Sequence, residues 1–266
     1  MRGVHSMRSN KILTIFVSLI YVFLCAPLII IIATAFNSGS VIAFPPKGFS
    51  FKWFANVFSS DTFMTTMGIS LKVSLLATAI ALIIGIPAAY ALSRKDYRGK
   101  AVVKNIFFSP ILVPGVVLGF AFFKFLVIKL QLNVFLGLLI GHTIIVIPYI
   151  IRVIGSSLEN LDFSMEEAAE SLGATKVKAF FLVVLPNVTS GVIAAFMLAF
   201  INSFNNVPVS IFLTGPGVST LPISMLSYVE YNYDPTVSAL SVILMMLTVF
   251  VMFVVEKTLG LSNFAK

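Results

Sequence analysis

The sequence predicts an all-α membrane protein built on six transmembrane helices, and three observations predict it. Of its 266 residues, 59% are hydrophobic and 11% are charged, where soluble domains carry roughly 25% charged residues. The mean hydropathy is +1.05. Six stretches reach the roughly 20 mostly apolar residues that cross a bilayer as a helix: 12–36, 69–92, 106–128, 132–151, 188–213 and 236–255. Twenty-six Phe and long Ile, Leu and Val runs exceed what a soluble core of this size hides, so lipid is the solvent for most of the chain. The whole chain, 1–266, reads as a single transmembrane domain.

The first run is too long for a removable signal peptide, because Ala33-Thr34-Ala35 lies far beyond a 7–15-residue apolar core. It reads as a retained helix, with Met7 an alternative initiator to Met1. Cys25 is the one cysteine, which excludes an intrachain disulfide and a thiolate metal site. After this span, Pro45-Pro46 marks a turn, and Phe51, Trp53, Phe54, Val57 and Phe58 recur at helical spacing. That pattern predicts a lid-like helix in the membrane interface anchored by Trp53. Lys72, Lys124 and Lys129 near the ends of spans two and three read as snorkelling side chains, and His142 in span four as a hydrogen-bonded packing residue. Span five collects Asn202, Ser203, Asn205 and Asn206, followed by Pro208 and Ser210. Amides in hydrocarbon are costly unless they face a cavity or another helix, so Asn202, Ser203, Asn205, Asn206 and Pro208 either line a substrate path or join helices together. Pro208 also frees the carbonyl of Phe204 and predicts a kink there.

Lys and Arg alternate between connections. Arg94, Lys95, Arg98, Lys100 and Lys104 follow span two, Arg152, Lys176 and Lys178 follow span four, and Arg2, Arg8 and Lys11 precede span one. The connection 214–235 has none. By the positive-inside rule both termini and the loop 155–187 are cytoplasmic. The net charge of +8 is therefore a property of loops facing anionic lipid, and no basic stripe with interleaved aromatics points to nucleic acid.

The loop 155–187 is the unusual segment. Within nine residues it gathers Asp162, Glu166, Glu167 and Glu170, four of the ten acidic side chains of the chain. Ser164 and Glu167 have capping-box spacing, Glu166 and Glu167 suit the positive end of a helix, and Gly173 suits a left-handed terminus. This predicts a short helix over 165–172, too short to be stable unless docked. A second amphipathic piece over 175–185 carries Val177, Phe180, Phe181 and Val184 on one face, until Pro186 breaks it. Ala168 and Ala169 leave a small, close-approach surface beside the glutamates.

Glu167-Ala168-Ala169, then Gly173, then Val183-Val184-Leu185-Pro186 resembles the EAA loop of bacterial ABC importer permeases, with Val183 where Ile is usual. The resemblance runs from about Phe44 to the carboxyl end. Lys47-Gly48-Phe49-Ser50-Phe51-Lys52-Trp53, Gly141-His142-Thr143, Phe212-Leu213-Thr214-Gly215-Pro216 and Leu221-Pro222 are similar to the second permease subunit of the spermidine/putrescine branch. That branch also includes permeases for aminoethylphosphonate and opines. The resemblance implies a MetI-like permease fold in the bacterial inner membrane and a heterodimer with a second permease. It further implies two ATPase subunits docking on the loop and a periplasmic or lipid-anchored solute-binding protein. ATP and Mg would sit on the ATPases, with no cofactor in this chain. Ser164, Glu166, Glu167, Ala168, Ala169, Gly173, Leu185 and Pro186 would couple the permease to the ATPase mechanically, as capped helix, hinge and attachment.

The chain itself does not read as an enzyme, and no metal site is expected. The one Gly-Lys pair, Gly99-Lys100, is followed by Ala101 and has Arg94 where a phosphate-binding loop needs Gly. A stand-alone secondary transporter or channel subunit is the alternative. Carboxylates within the spans and an internal repeat would mark that class, and neither is found. The same lack of carboxylates predicts a neutral, zwitterionic or singly charged amino compound as substrate rather than spermidine.

Overall fold

The computed structural model describes residues 11–94 and 96–259. Arg2, Arg8, Lys95 and the alternative initiator Met7 lie outside the described residues. Among the described residues every regular element is helical, and two compact units are distinguishable.

The first unit comprises the described residues up to Ser60 together with Tyr228–Met246. Helix α1 (Lys11–Ala35) turns Leu13, Ile15, Phe16, Leu19 and Phe23 outward, as a lipid-facing span requires. Beyond it, the buried Asn37 organises an outer loop. Its Nδ2 donates to the Val41 carbonyl at 3.0 Å, and its Oδ1 accepts the backbone N–H of Gly39 and Lys47 at 3.1 Å each. Helix α2 (Lys52–Ser59) is the predicted amphipathic helix. Val57 is its buried residue, whereas Phe51 and Phe58 are exposed. Trp53 is pinned by its indole N–H to the Asn37 carbonyl at 2.7 Å. Asn56 reaches Thr236 at the start of α12 (Thr236–Leu259).

The second unit runs from Asp61 to Ser227 and resumes at Leu247. Its core is a three-helix packing of α3 (Asp61–Arg94), α6 (Val134–Glu159) and α10 (Thr189–Phe204). Small residues four apart, Ala77, Ala81, Gly85 and Ala89, are buried along α3 and let α6 approach closely. A Cβ on Gly85 would sit 2.6 Å from Ile150 Cγ2, and one on Gly191 of α10 would sit 2.1 Å from Ser157 Oγ. In lipid, such packing rather than hydrophobic transfer holds helices together. Asn133 starts α6 by accepting the Leu136 N–H at 2.8 Å.

The six expected spans are recovered unevenly. Among the described residues, four helices are long and apolar enough to cross a membrane: α1, α3, α6 and α12. Helix α3 has 34 residues, about 51 Å at 1.5 Å per residue, and so exceeds the hydrocarbon thickness that 69–92 was expected to match. The stretch 106–128 is not one helix. Helix α4 (Lys100–Leu112) ends, and α5 (Gly115–Phe122) with its π-helical continuation Phe123–Lys129 departs at 102°. The reason is Pro114, which drives Val113 into the extended region at φ −94°, ψ 133°. The stretch 188–213 is helical only to Phe204, and Asn205–Leu213 winds through turns. If the bent pair of α4 and α5 and a second one, Lys176–Asn187 with Thr189–Phe204 bent by 72°, each count as one span, the number of spans among the described residues reaches six. An eleventh helix, α11 (Leu221–Tyr231), occupies a region expected to be a plain connection, with Pro222 in its first turn, where a missing N–H costs nothing.

Candidate functional site

Two places in the second unit bring together residues of chemical interest. The first is the acidic loop. Helix α7 (Ser164–Ser171) is eight residues long, close to the predicted extent, but its start differs from the expected capping box. Phe163 is the N-cap and no side chain caps the helix from that position. Instead Asp162 Oδ1 accepts the Ser164 N–H at 2.9 Å, and this bond, with one from the Ser164 hydroxyl, holds its carboxyl below the usual carboxylate range. Ser164 is thus inside the helix, and the exposed Glu167 is free of the reciprocal bond that a capping box requires. The other end is as expected. Gly173 has φ +93°, its N–H donates to the Glu170 carbonyl at 2.9 Å, and Ala174 N–H donates to the Ala169 carbonyl at 3.0 Å. This pair of bonds is the Schellman closure.

The second helical piece of the loop is α8 (Lys176–Ala179), capped by Thr175 at 3.3 Å, a π-helical stretch Phe180–Val184, and the short turn α9 (Leu185–Asn187). Its buried side is Ala179, Val184 and Val188 with Phe180 partly covered, whereas Val177 and Phe181 are exposed. The wide π turn carries the chain past Pro186, so the break comes not there but at Val188, where α10 departs at 72°.

The four clustered acids, Asp162, Glu166, Glu167 and Glu170, have different surroundings. Asp162 caps, Glu167 faces outward, and Glu170 is half-buried. Glu166 is buried, with 7% of its surface exposed. Its Oε2 lies 3.0 Å from Arg94 Nη2 and its Oε1 accepts the hydroxyl of Tyr90, both from the last turns of α3. The Phe163 ring covers the guanidinium, 3.2 Å from its Cζ. The Arg94 side chain is only 4% exposed, and its Nε and Nη1 have no acceptor among the described residues. Removing one member of such a buried pair costs about 3–5 kcal/mol, because the other charge stays behind uncompensated. Sequence reasoning treated Arg94 as a topology marker and did not identify Tyr90 or Phe163 at all. The outward surface of the loop consists of Met165, Glu167, Ala168 and Leu172, and Leu172 is 90% exposed. Ala169 is half-buried, Leu185 half-buried and Pro186 exposed.

The second place is a cavity of about 190 Å³ where the two broken helices meet. Pro110, Ile111 and Val113 line it from the α4 break, Asn202, Asn206 and Pro208 from the end of α10, and Tyr149 from α6. The helix ends at Phe204, where Pro208 was expected to kink it, and Asn206 closes the turn by accepting the Val209 N–H at 3.0 Å. The polar cluster predicted in span five is therefore divided. Asn202, Asn206 and Pro208 face the cavity, Asn205 is exposed and off it, and Ser203 is turned into the core.

Ser203 meets the buried His142. His142 Nδ1 is 2.8 Å from Ser203 Oγ and Nε2 is 3.0 Å from Ser210 Oγ. Ser210 already donates to the Asn206 carbonyl at 2.5 Å, so its oxygen accepts from Nε2–H and the Ser203 hydroxyl donates to Nδ1. A neutral imidazole thus ties α6 to both sides of the α10 break, the packing role expected of it. The same turn segment rests on glycines: a Cβ on Gly119 would sit 2.8 Å from the Pro208 carbonyl oxygen, and one on Gly141 would sit 2.9 Å from Leu213 Cδ1. Lys124 and Lys129 lie over Phe120 and Phe125, 5.7 Å from each ring, in keeping with snorkelling. No group of three or more metal-ligating side chains occurs among the described residues.

Comparison with known proteins agrees with this geometry. The family model described as the binding-protein-dependent transport system inner membrane component matches residues 81–259. The spermidine/putrescine transport system permease protein PotC of Escherichia coli (strain K12) is 32% identical over 234 residues, 88% of each chain. The putrescine transport system permease protein PotI of the same organism is 30% identical over 232 residues, 85% of this chain and 82% of the relative. Among solved structures, a bacterial ABC transporter involved in the import of the acidic polysaccharide alginate superposes with a TM-score of 0.73 at 20% identity, over 96% of this chain and 99% of that one. The MetNI methionine ABC transporter in inward-facing conformations superposes with a TM-score of 0.60 at 20% identity, over 75% and 97%. Permeases of this kind work with partner ATPases and solute-binding proteins, and the chain, with its apolar helices, is a multi-pass inner-membrane protein and not an enzyme. With two thirds of its length matched by the family model and relatives at 30% identity or more along most of its length, the chain belongs to the binding-protein-dependent inner-membrane permeases of ABC importers.

Proposed function

We propose that this chain is one half of a heterodimeric permease that imports a small amino compound, powered by ATP hydrolysis on two ATPase subunits docked at α7. The observation that carries the reading is the two-sided character of α7: Glu166 is buried against the chain while Leu172 stands 90% exposed beside Glu167 and Ala168. A leucine so exposed at the end of a short helix is an incomplete contact, and covering it contributes about 1.5–3 kcal/mol. Both termini and the loop 155–187 are cytoplasmic in this reading, and ATP and Mg belong to the ATPases. The two compact units act as one permease domain. A solute-binding protein, periplasmic or lipid-anchored, delivers substrate from the other side. Ser164, Gly173, Leu185 and Pro186 shape the loop that receives the ATPase.

The cavity bearing Asn202, Asn206 and Tyr149 is the place where substrate passes. Its lining of amides, a phenol and apolar side chains has no carboxylate, which favours a neutral, zwitterionic or singly charged compound. A second reading, a di- or polyamine, is favoured by the names of the relatives, with carboxylates supplied by the partner permease. The test is uptake of radiolabelled putrescine, spermidine and aminoethylphosphonate by the complete importer in proteoliposomes. ATP-dependent uptake of at least one is expected. Uptake that persists without the ATPases would reinstate a stand-alone carrier. Asn206→Asp discriminates between substrates, because a polycation path gains or tolerates the added charge and a path for a zwitterion or anion loses transport.

A further inference from the structure

Arg94 is the one guanidinium in the described residues that is both buried and paired, and the pair joins a loop helix to a span. Arg94 and Tyr90 are four residues apart and so share one face of the last turns of α3. That face holds both pieces of the loop. Glu166 of α7 receives Arg94 and Tyr90, Phe163 covers the guanidinium, and the Tyr90 ring meets Phe180 edge-on at 4.9 Å between centroids. Helix α7 itself is short and would not hold its shape or position unaided. Its exposed side, meanwhile, has no comparable attachment among the described residues.

We propose that Arg94, with Tyr90, is the linkage through which movement of the coupling loop enters the membrane, so that α3 is the span driven directly by the ATPase. A buried ion pair resists separation in any direction, because parting it leaves a charge without solvent or partner. Displacement of α7 therefore drags the end of α3. Helix α3 is continuous for 34 residues, and its interior Pro87 leaves no break in it, so the displacement reaches its far end, Asp61 and Thr62, as a rigid-body tilt. Two of the helical stretches around it are divided by a 102° and a 72° bend, whereas α3 and α6 are continuous, and α3 is the longer of these two and the one that holds the ion pair. Arg94, Tyr90 and Glu166 are positioning residues here, since none of them touches substrate or nucleotide. The inference rests on the reading of α7 as the ATPase dock.

The test uses the complete importer in proteoliposomes, with Cys25→Ser and Thr62→Cys in this chain, and reads the rate of labelling by a membrane-impermeant maleimide. Thr62 is exposed at the start of α3. Trapping with ATP and vanadate is expected to change the rate by about tenfold, within the usual range of coupling between sites. Arg94→Gln or Glu166→Gln should flatten that response while the ATPase subunits stay bound, and the reversed pair Arg94→Glu with Glu166→Arg should restore most of it. A merely structural defect would lose subunits and response together and would not be rescued by reversal. If neither charge variant inserts, Tyr90→Phe keeps the ring on Phe180, removes one bond to Glu166 and should weaken the response. A full response in the single variants, no response in the otherwise native chain, or a flat response in a reversed pair that inserts and retains its ATPase overturns the proposal. Leu172→Asp separates the two levels. If it leaves the ATPase bound, the docking reading fails; if it releases the ATPase while Arg94→Gln responds fully, only the linkage fails.

Discussion

Replacing Gly173 should weaken ATPase docking in a graded way set by backbone conformation alone. The residue sits at φ +93° between α7 and α8, and nothing lies within 4 Å of where its Cβ would be. Side-chain volume is therefore not the obstacle. The cost is that of forcing an L-residue into the left-handed region, about 1–2 kcal/mol for most residues, with Asn penalised least because its short polar side chain supports that conformation. A loop that instead relaxes away loses the bonds from Gly173 to Glu170 and from Ala174 to Ala169, and α8 then leaves α7 in another direction. The docking-competent population falls by the corresponding Boltzmann factor, about five- to thirtyfold, and apparent affinity falls with it. The assay is titration of immobilised permease with its ATPase, for Gly173→Asn, Gly173→Ala and Gly173→Val, each checked for normal insertion. Affinity should fall in that order. If Gly173→Val binds as tightly as the native chain, the left-handed hinge is irrelevant to docking and the reasoning fails.

Gly119→Leu should lower the thermal stability of the purified protein by about 1–3 kcal/mol, because the Cβ would meet the Pro208 carbonyl and Val209 Cα, backbone atoms that cannot step aside; an unchanged melting temperature refutes that close approach. His142→Phe should destabilise by a comparable amount, about 1–3 kcal/mol, since it strips the buried Ser203 hydroxyl of its acceptor and Ser210 of its donor. An unaltered melting curve would show that the imidazole does not tie the α10 break. Ser219→Cys in a Cys25→Ser background should label from outside intact cells and Ser157→Cys only after permeabilisation. The reverse pattern would invert the proposed orientation.

What was legible in the sequence was local. Helix α7 and its terminating Gly173 could be read because a cap, a first-turn acid and a left-handed residue act within one or two turns. The disturbance at Phe204 followed from Pro208 for the same reason, although it ends α10 where only a kink was expected. The break at Val113-Pro114 was equally local and was missed, because the apolar run 106–128 was judged by its hydropathy, which carries no information on backbone angles. The capping box failed through competition: Asp162 lies two residues before Ser164 and supplies the bond that Ser164 was expected to make. The ion pair of Arg94 and Glu166 joins residues 72 positions apart. Both belong to charge clusters that the positive-inside rule and the helix dipole already explain, so neither drew a second account. The signal available was the helical register of α7, which puts Glu166 on the same side as Ala169 and Glu170 and about 100° around the helix from Glu167. The division of the span-five cluster was likewise beyond reach, because it depends on the turn that Asn206 closes, which swings Asn205 off the cavity.

These observations give the loop an outer and an inner face with different tasks. The outer face offers Leu172, Glu167 and Ala168, and the inner face is fastened to the end of α3. Adjacent positions, Glu166 and Glu167, thus separate the contact with α3 from the face proposed to meet the ATPase. The arrangement also accounts for the acidic side chains gathered in this stretch, since a short helix needs its dipole compensated and its position fixed at once.

The most direct test of this account is the solvent accessibility of the outer face of α7 with and without the ATPase. With Ala168→Cys in a Cys25→Ser background, the purified permease should react readily with a soluble maleimide, because residue 168 is exposed. Adding the ATPase subunits should slow the reaction by about tenfold or more, as expected for a site occluded by a specific protein interface. An unchanged rate in a complex that demonstrably contains the ATPase would contradict the central claim that this face is where the two proteins meet.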